Sequence, residues 1–170
     1  MIDGAIAATP TFSHTAKTHH FGMTLMFQHI LVPTDGSLLS ASVVDRVLDL
    51  AREAGAKVTV VTVVEPVDFL AASPADFADT QETMRQYGKA QAARFLSDAE
   101  RKAKALGVQC TVVQVESAHP FRAIIDTAKK SGCDLIAMAS HGRRGVSALV
   151  IGSETNKVLT HSSIPVLVYR

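Results

Sequence analysis

The sequence lacks the residues on which several classes of protein depend. Tryptophan is absent and aromatic residues make up only 5% of the chain, which is too few for the stacking surface of a single-strand nucleic-acid-binding protein. The two cysteines, Cys110 and Cys133, are too few for a disulfide framework or a cysteine-rich zinc site. We therefore expect both to be small hydrophobic core residues of a protein in the reducing cytoplasm.

An excess of charge and long apolar runs are also missing. The 17 basic and 16 acidic residues leave a net charge of +1, so the charge does not favour nonspecific binding of nucleic acid. The longest apolar stretch, residues 58–64, is interrupted by two threonines and is far shorter than the ~20 residues that cross a bilayer. We therefore expect neither a nucleic-acid partner nor a membrane partner.

The first 25 residues differ in composition from the rest. Residues 1–25 are rich in Thr, Ser, His and Ala and show no apolar periodicity. They contain neither the apolar core of a signal peptide nor the arginines of a mitochondrial presequence. We interpret them as a flexible N-terminal extension and predict one domain over residues 26–170.

In residues 26–170, strand patterns alternate with helix patterns. Short runs rich in β-branched residues predict strands that are buried on both faces, and the segments between them carry apolar residues at helical spacing. This alternation predicts an α/β fold with a parallel sheet between two layers of helices. Gly88 interrupts the second helix pattern, so a break there is an open alternative. The predicted strands are 29–33, 57–64, 109–115, 134–138 and 164–169, and the predicted helices are 38–54, 76–105, 120–130 and 153–161.

Two loops are candidates for a ligand site. In doubly wound sheets, ligands bind beyond the carboxyl ends of the strands, where the strand order reverses. One loop, residues 33–37, follows the first predicted strand, and the other, residues 139–153, follows the fourth. If these two strands are neighbours, both loops face one crevice.

The second loop has the composition of a phosphate-binding loop. Its glycines allow backbone N–H groups to approach an anion, and Gly152 and Ser153 precede a helix whose N-terminus attracts negative charge. Arg143 and Arg144 add guanidinium groups that match phosphate oxygens, and the hydroxyls of Ser153 and Thr155 add donors. The loop is neither a Walker A motif nor a dinucleotide fingerprint. A tight turn with a serine helix cap and two solvated arginines is the alternative.

Asp35 in the first loop also has two interpretations. An Asp-Gly pair most often forms an Asx turn, in which the carboxylate accepts a hydrogen bond from its own backbone. The functional alternative is a carboxylate that accepts hydrogen bonds from a ribose or an adenine amino group. Since a carboxylate repels phosphate, Asp35 would then belong at the nucleoside end of a ligand.

Three stretches resemble parts of the universal stress protein family. The segment ILVPTDGS at 30–37 resembles the first strand and loop of the family, and SIPVLV at 163–168 resembles its last strand. The resemblance covers residues 26–170 and implies a three-layer sandwich whose five-stranded parallel sheet has the order 3-2-1-4-5. The family's ATP-binding signature, Gly-x2-Gly-x9-Gly-[Ser/Thr], is similar to Ala139-Ser140-His141-Gly142 followed after nine residues by Gly152-Ser153.

The resemblance implies an ATP-binding protein that acts in stress survival. Mg²⁺ or Mn²⁺ would accompany the nucleotide, and AMP or ADP are alternative ligands. Pro33 and Asp35 would contact the nucleoside, Val63 would hold the adenine through its backbone, and the second loop would enclose ribose and phosphates. The implied site comprises Pro33, Thr34, Asp35, Val63, Ala139, Ser140, His141, Gly142, Arg143, Arg144, Gly145, Gly152, Ser153, Glu154 and Thr155.

Ala139 departs from the signature, which has glycine at this position. If the position needs a left-handed backbone, an L-residue costs about 1–2 kcal/mol, which weakens binding by about five- to thirty-fold. If the methyl group instead meets the ribose, binding fails. We expect binding to be retained.

The last predicted strand bears on assembly. Residues 164–169 are apolar, and an apolar strand at a sheet edge is a template for pairing with another chain. The resemblance implies a homodimer through Ile164 to Tyr169, and a monomer is the alternative.

Two other functions remain open. The first is slow ATP hydrolysis, for which His141, Arg143 and Arg144 are the candidate residues. No Walker-B-type carboxylate is evident, so we expect at most weak ATPase activity. The second is a dimeric interaction protein that binds no nucleotide. The sequence does not indicate a protein partner or the stress signal.

Overall fold

A computed structural model describes residues 27–66, 74–142 and 151–170, with the backbone alone for residues 74–80. These residues form one five-stranded sheet of parallel strands in the order β3-β2-β1-β4-β5. The predicted fold class is therefore confirmed. The strands are β1 (His29–Pro33), β2 (Lys57–Val64), β3 (Cys110–Glu116), β4 (Leu135–Ala139) and β5 (Val166–Tyr169). The helices are α1 (Leu38–Ala54), α2 (Pro74–Leu106), α3 (Pro120–Lys130) and α4 (Ser153–His161).

Most element ends lie where the sequence places them. The exceptions are β3 and β4, which lie one residue further along the chain than predicted, α2, which spans Pro74–Leu106 rather than 76–105, and β5, which begins at Val166 rather than at residue 164. Pro165 explains the late start of β5, because proline has no N–H to donate to the ladder. The predicted extension 1–25 and residues 67–73 of the predicted loop after β2 lie outside the described residues.

Helix α2 is continuous through Gly88, so the break considered from the sequence is absent. Gly88 lies where the helix approaches the end of β2. A Cβ at this position would lie 3.3 Å from Cγ1 of Val64, which is tighter than an ordinary van der Waals contact. The glycine therefore permits close packing of helix against strand.

The first helix shows how local sequence sets an element's ends. Ser37 precedes α1 in an extended conformation, and its hydroxyl accepts a hydrogen bond from the N–H of Ser40 at 3.2 Å. Gly55 follows the helix with φ +66°, the left-handed conformation that glycine adopts without strain. The serine and the glycine therefore satisfy groups that the helix ends leave unpaired.

Two apolar cores lie on opposite faces of the sheet. Ile30 and Val32 of β1 belong to the core on the side of α1 and α2. Leu31, between them, belongs to the core on the side of α3 and α4. All three side chains are essentially fully buried, because β1 is the central strand and is covered on both faces.

The topology places a crevice at the carboxyl end of β1. After β1 the chain continues to β2 on one side, and after β3 it returns to β4 on the other side of β1. Strand order therefore reverses between β1 and β4, and their two loops diverge to opposite faces of the sheet. Both candidate loops start at this crevice.

Candidate functional site

The loop after β1 is held by its own polar side chains. Oδ1 of Asp35 accepts hydrogen bonds from the N–H of Ser37 at 3.0 Å and from the hydroxyl of Ser40 at 2.7 Å. The hydroxyl of Thr34 accepts from the N–H of Gly36 at 3.2 Å. The Asx turn that the sequence suggested is therefore present, and its acceptor is Oδ1 of Asp35.

The other carboxylate oxygen faces the second loop. Oδ2 of Asp35 lies so close to Gly142 that a Cβ on Gly142 would overlap it. The two candidate loops therefore meet, although 107 positions separate these residues in the chain. A side chain at position 142 would therefore force the Asp35 carboxylate to move.

Helix α2 packs against the first loop. Gly36 has φ +75°, and a Cβ there would overlap the ring of Phe95 on α2. The aromatic ring therefore packs directly against the backbone of the loop. This contact fixes the position of the loop relative to α2.

The two ends of the second loop are joined by backbone hydrogen bonds. The N–H of Gly152 donates to the carbonyl of Ser140 at 2.7 Å, and the N–H of Ser140 donates to the carbonyl of Tyr169 at 2.7 Å. A Cβ on Gly152 would lie 3.3 Å from the Cα of His141 and 3.3 Å from the Ser140 carbonyl oxygen. Ser140 is buried, and its hydroxyl lies 3.1 Å from Nδ1 of His141. These bonds hold Gly152 next to Ser140 at the end of β4.

Ala139 causes no backbone strain. It is the last residue of β4, where it pairs with Tyr169 of β5. Strand residues have negative φ values that any L-residue adopts. The left-handed backbone considered from the sequence is therefore wrong for this position, and the loss of affinity calculated from it does not apply.

The start of α4 corrects two sequence-based interpretations. Gly152, not a serine, is the residue that caps this helix, and it supplies no side-chain hydrogen bond. Ser153 is the exposed first residue of the helix. The hydroxyl of Thr155 is buried and donates to the carbonyl of Ala139 at 2.9 Å. Since a hydroxyl has one hydrogen, Thr155 joins α4 to β4 rather than offering a donor to the crevice.

Glu154 also serves the fold. Its Oε2 accepts a hydrogen bond from the N–H of Phe121 at 2.8 Å, and its Oε1 accepts one from Nζ of Lys157 at 2.6 Å. The residue before α3, His119, makes no capping hydrogen bond, so Glu154 supplies this cap from another helix. The carboxylate is directed at α3, in contrast to the contact with ribose or phosphate that the resemblance implied.

These elements enclose a cavity of about 520 Å³ at the carboxyl ends of the central strands. Helix α2 forms a wall of it that sequence analysis did not assign, because helical periodicity does not distinguish a cavity wall from a packed face. Arg143, Arg144 and Gly145 lie outside the described residues. The predicted site residues that line the cavity are Pro33, Thr34, Asp35, Val63, Ala139, His141, Gly142, Gly152, Ser153, Glu154 and Thr155. The unassigned wall comprises Tyr87, Gly88, Gln91, Ala92 and Phe95.

The electrostatic potential differs between one part of the cavity and another. Among the described lining residues, the charged side chains are the carboxylates of Asp35, Glu65 and Glu154. The backbone N–H groups at the start of α4 supply positive potential, equivalent to about half a charge at a helix N-terminus. An anionic group entering the cavity would therefore be favoured next to α4.

The cysteines lie outside this site. Burial raises the pKa of both the Cys110 and the Cys133 thiol to about 11, so at neutral pH both are protonated and poorly nucleophilic. The expectation that they are structural residues fits this result. Cys133 is fully buried, whereas Cys110 is partly exposed.

Two properties of the described residues bear on function. No group of three or more His, Cys, Asp or Glu side chains there is arranged to hold a metal ion. None of the described helices combines the length and the apolar character that crossing a bilayer requires.

Comparisons of the sequence and of the fold with known proteins point to the same family. The model of the universal stress protein family matches residues 26–170. The universal stress protein YxiE of Bacillus subtilis is 31% identical over 152 residues, which cover 85% of this chain and 100% of that protein. The universal stress protein UspA of Lactobacillus plantarum has the same fold, with a TM-score of 0.73, 21% identity and coverage of 84% of this chain and 97% of that one.

A further solved structure is a universal stress protein in complex with cAMP. It superposes with a TM-score of 0.62 and 26% identity, and the match covers 85% of this chain and 97% of that one. The family model and the relatives both extend over nearly all of the described sheet and helices. The chain therefore belongs to the universal stress protein family.

Proposed function

We propose that this protein binds an adenine nucleotide, ATP in the first place, in the cavity at the carboxyl ends of β1 and β4. The observation that carries the proposal is the contact between Asp35 and Gly142 beside the N-terminus of α4. It brings a carboxylate, a glycine loop and a helix N-terminus to one cavity of about 520 Å³. Cavities of roughly 300–1,000 Å³ accommodate small-molecule ligands.

Electrostatics supports one orientation of the nucleotide. The phosphates lie against the N-terminus of α4 and the second loop, where N–H donors and the helix dipole favour anions. Asp35 lies at the nucleoside end, where Oδ2 accepts hydrogen bonds from ribose hydroxyls. The reverse orientation would place phosphate against a carboxylate and would be repulsive.

The family relationship supports the class of ligand. The relative described as a complex with cAMP is 26% identical to this chain, and cAMP shares the adenine, the ribose and a phosphate with ATP. AMP and ADP therefore remain alternatives to ATP in the same cavity.

A divalent ion fits this proposal as a companion of the phosphates. Mg²⁺ is usually held by one or two carboxylates together with phosphate oxygens and water. Because no ready-made metal cluster occurs among the described residues, Mg²⁺ or Mn²⁺ would be held chiefly through the nucleotide and water. We expect bound nucleotide to be retained rather than turned over rapidly, because the sequence contains no evident Walker-B-type carboxylate.

Binding is tested by calorimetric titration of the protein with ATP, ADP and AMP in the presence of Mg²⁺. The substitution Gly142→Ala places a methyl group onto Oδ2 of Asp35, so we expect ATP affinity to fall by at least about ten-fold, equivalent to ~1.4 kcal/mol.

The matched control is Gly132→Ala, which lies outside the cavity. Gly132 has φ +67° and open space around it, so alanine lowers stability by about 1–2 kcal/mol through backbone strain and leaves ATP affinity unchanged. A wild-type protein that binds none of the three nucleotides would refute the proposed function.

We also propose that the protein forms a homodimer through residues Ile164 to Tyr169. Among the strands that the structure describes, β5 pairs with β4 alone and lies at the edge of the sheet. Leu167 in this strand is 38% exposed, and an edge strand with apolar surface is a template for pairing with another chain. Sedimentation velocity over a range of concentrations measures the mass.

A further inference from the structure

We propose that Tyr87 and Gln91 of α2 contact the base of the bound nucleotide and make the site selective for adenine. The inference rests on the proposed nucleotide binding and adds the residues that determine which base is preferred. It concerns the cavity wall that the motifs in the two loops do not include.

The first step is the position of this wall. Tyr87, Gln91 and Phe95 follow one another at intervals of four residues, so they lie along one face of α2. All three line the cavity. Phe95 packs on the backbone of Gly36, and Gly88 packs against Val64. One face of α2 is thus seated on the first loop and on the end of β2.

The second step is the direction in which a nucleotide would lie. Strand β1 separates β4 from β2 in the sheet, and the distance across two strand intervals is about 10 Å. The phosphates belong near α4, on the β4 side, and the ribose belongs near Asp35, which follows β1. The base is then directed to the end of β2, where Val63 and Val64 line the cavity beside α2.

The third step is the chemistry of the two side chains. The Nε2 group of Gln91 donates a hydrogen bond to the hydroxyl of Tyr87 at 2.9 Å. The amide has a second N–H and a carbonyl oxygen in addition to this bond. A donor and an acceptor side by side match the N6 and N7 edge of adenine, whereas guanine presents two acceptors on that edge.

The tyrosine provides a surface for stacking. Tyr87 is 67% exposed, so much of this side chain is in contact with water although it lines the cavity. A base stacked on this ring would cover apolar surface that is otherwise in contact with water. Two ion pairs, Arg85 with Glu116 at 3.7 Å and Lys89 with Glu116 at 2.8 Å, join this part of α2 to β3.

Calorimetric titration with ATP and with GTP tests the inference on four purified variants of the full chain. We expect Tyr87→Ala to weaken ATP binding by about ten-fold, as loss of one stacking contact does. Tyr87→Phe keeps the ring and retains most of the affinity. Gln91→Leu reduces the preference for ATP over GTP by about ten-fold, since the donor and acceptor pair is lost. Gln86→Leu is the matched control, because Gln86 lies on the same helix and bonds to Glu82 instead of lining the cavity.

The outcomes separate the two proposals. If wild type binds ATP more tightly than GTP and the Tyr87 and Gln91 variants behave as described, the inference is supported. If wild type binds ATP and these variants bind ATP and GTP as the Gln86→Leu control does, the role of α2 is refuted and the nucleotide site stands. If wild type binds neither nucleotide, both proposals fail.

Discussion

At the scale of single residues, the site depends on contacts that leave no room for side-chain atoms. Gly142 faces the Asp35 carboxylate and Gly36 faces the Phe95 ring, and at both positions a Cβ would overlap its neighbour. Ala139, in contrast, replaces a signature glycine at a strand position where a methyl group causes no strain. Replacing glycine by alanine is thus expected to cause a steric overlap at position 142 but no backbone strain at position 139.

His29 gives a residue-scale prediction at the opposite end of β1. Its Nε2 lies 2.8 Å from the hydroxyl of Thr59. Burial, and next the positive charge of Lys57, lower the pKa of His29 below its usual value, while Asp134 acts in the opposite direction. The unfolded chain therefore binds a proton at higher pH than the folded chain does. The free energy of unfolding falls as pH drops below about 6.5 towards the folded-state pKa.

The substitution His29→Gln isolates this effect. Glutamine keeps a hydrogen-bonding group near Thr59 but does not titrate. Urea unfolding of both proteins at about pH 7 and about pH 5 should show a smaller loss of stability in the variant. An equal loss in both proteins would mean that other groups account for the acid sensitivity.

At the scale of elements, two side chains of α4 join this helix to neighbouring elements, whereas the sequence analysis placed both in the ligand site. Glu154 on α4 caps α3, and Thr155 on α4 bonds to the end of β4. The strand and helix patterns predicted nearly every element, because burial on one or two faces leaves a periodic pattern in the chain. The cap on α3 was missed, because 33 positions separate Glu154 from Phe121 and periodicity contains no information about such pairs.

The cap predicts a measurable loss of stability. Replacing Glu154 by alanine removes the acceptor for the N–H of Phe121, so we expect the free energy of unfolding to fall by about 1 kcal/mol. Glu154→Gln keeps an acceptor oxygen and loses less. Lys157→Ala removes the half-exposed ion-pair partner together with a cation 5.5 Å from the centre of the Phe121 ring, so we expect a smaller loss of stability than for Glu154→Ala. Chemical denaturation ranks the three variants, and equal effects of Glu154→Ala and Lys157→Ala would argue against the cap.

At the scale of the whole molecule, the strand order determines where the ligand site and the sheet edges lie. Among the described strands, the order β3-β2-β1-β4-β5 puts the central strand beneath the cavity and places β5 at an edge, next to β4. The strand order therefore places the proposed ligand site at the central strand, β1, and the proposed dimer interface at the edge strand, β5. The N–H of Ser140 bonds to the carbonyl of Tyr169, so the last strand is directly connected to the second loop.

The dimer proposal predicts the effect of a charge on this edge. Leu167→Glu should convert a dimer to a monomer in sedimentation velocity, because a buried unpaired carboxylate opposes edge-to-edge pairing. Leu50→Glu is the control, since Leu50 is exposed to a similar extent on α1. A wild-type protein that sediments as one subunit at every concentration would exclude the dimer.

The class of fold, the order of elements and the two loops at the crevice could be predicted from the amino-acid sequence, because burial patterns and short motifs are local properties of the chain. The sequence also assigned Asp35 and Gly142 to one site. Only the tertiary structure decided that Thr155 and Glu154 bond within the protein, that Ala139 is unstrained, and that α2 supplies a wall of the cavity. These results depend on the relative positions of residues that are distant in the chain. Tertiary packing determines those positions, and a local sequence pattern contains no information about them.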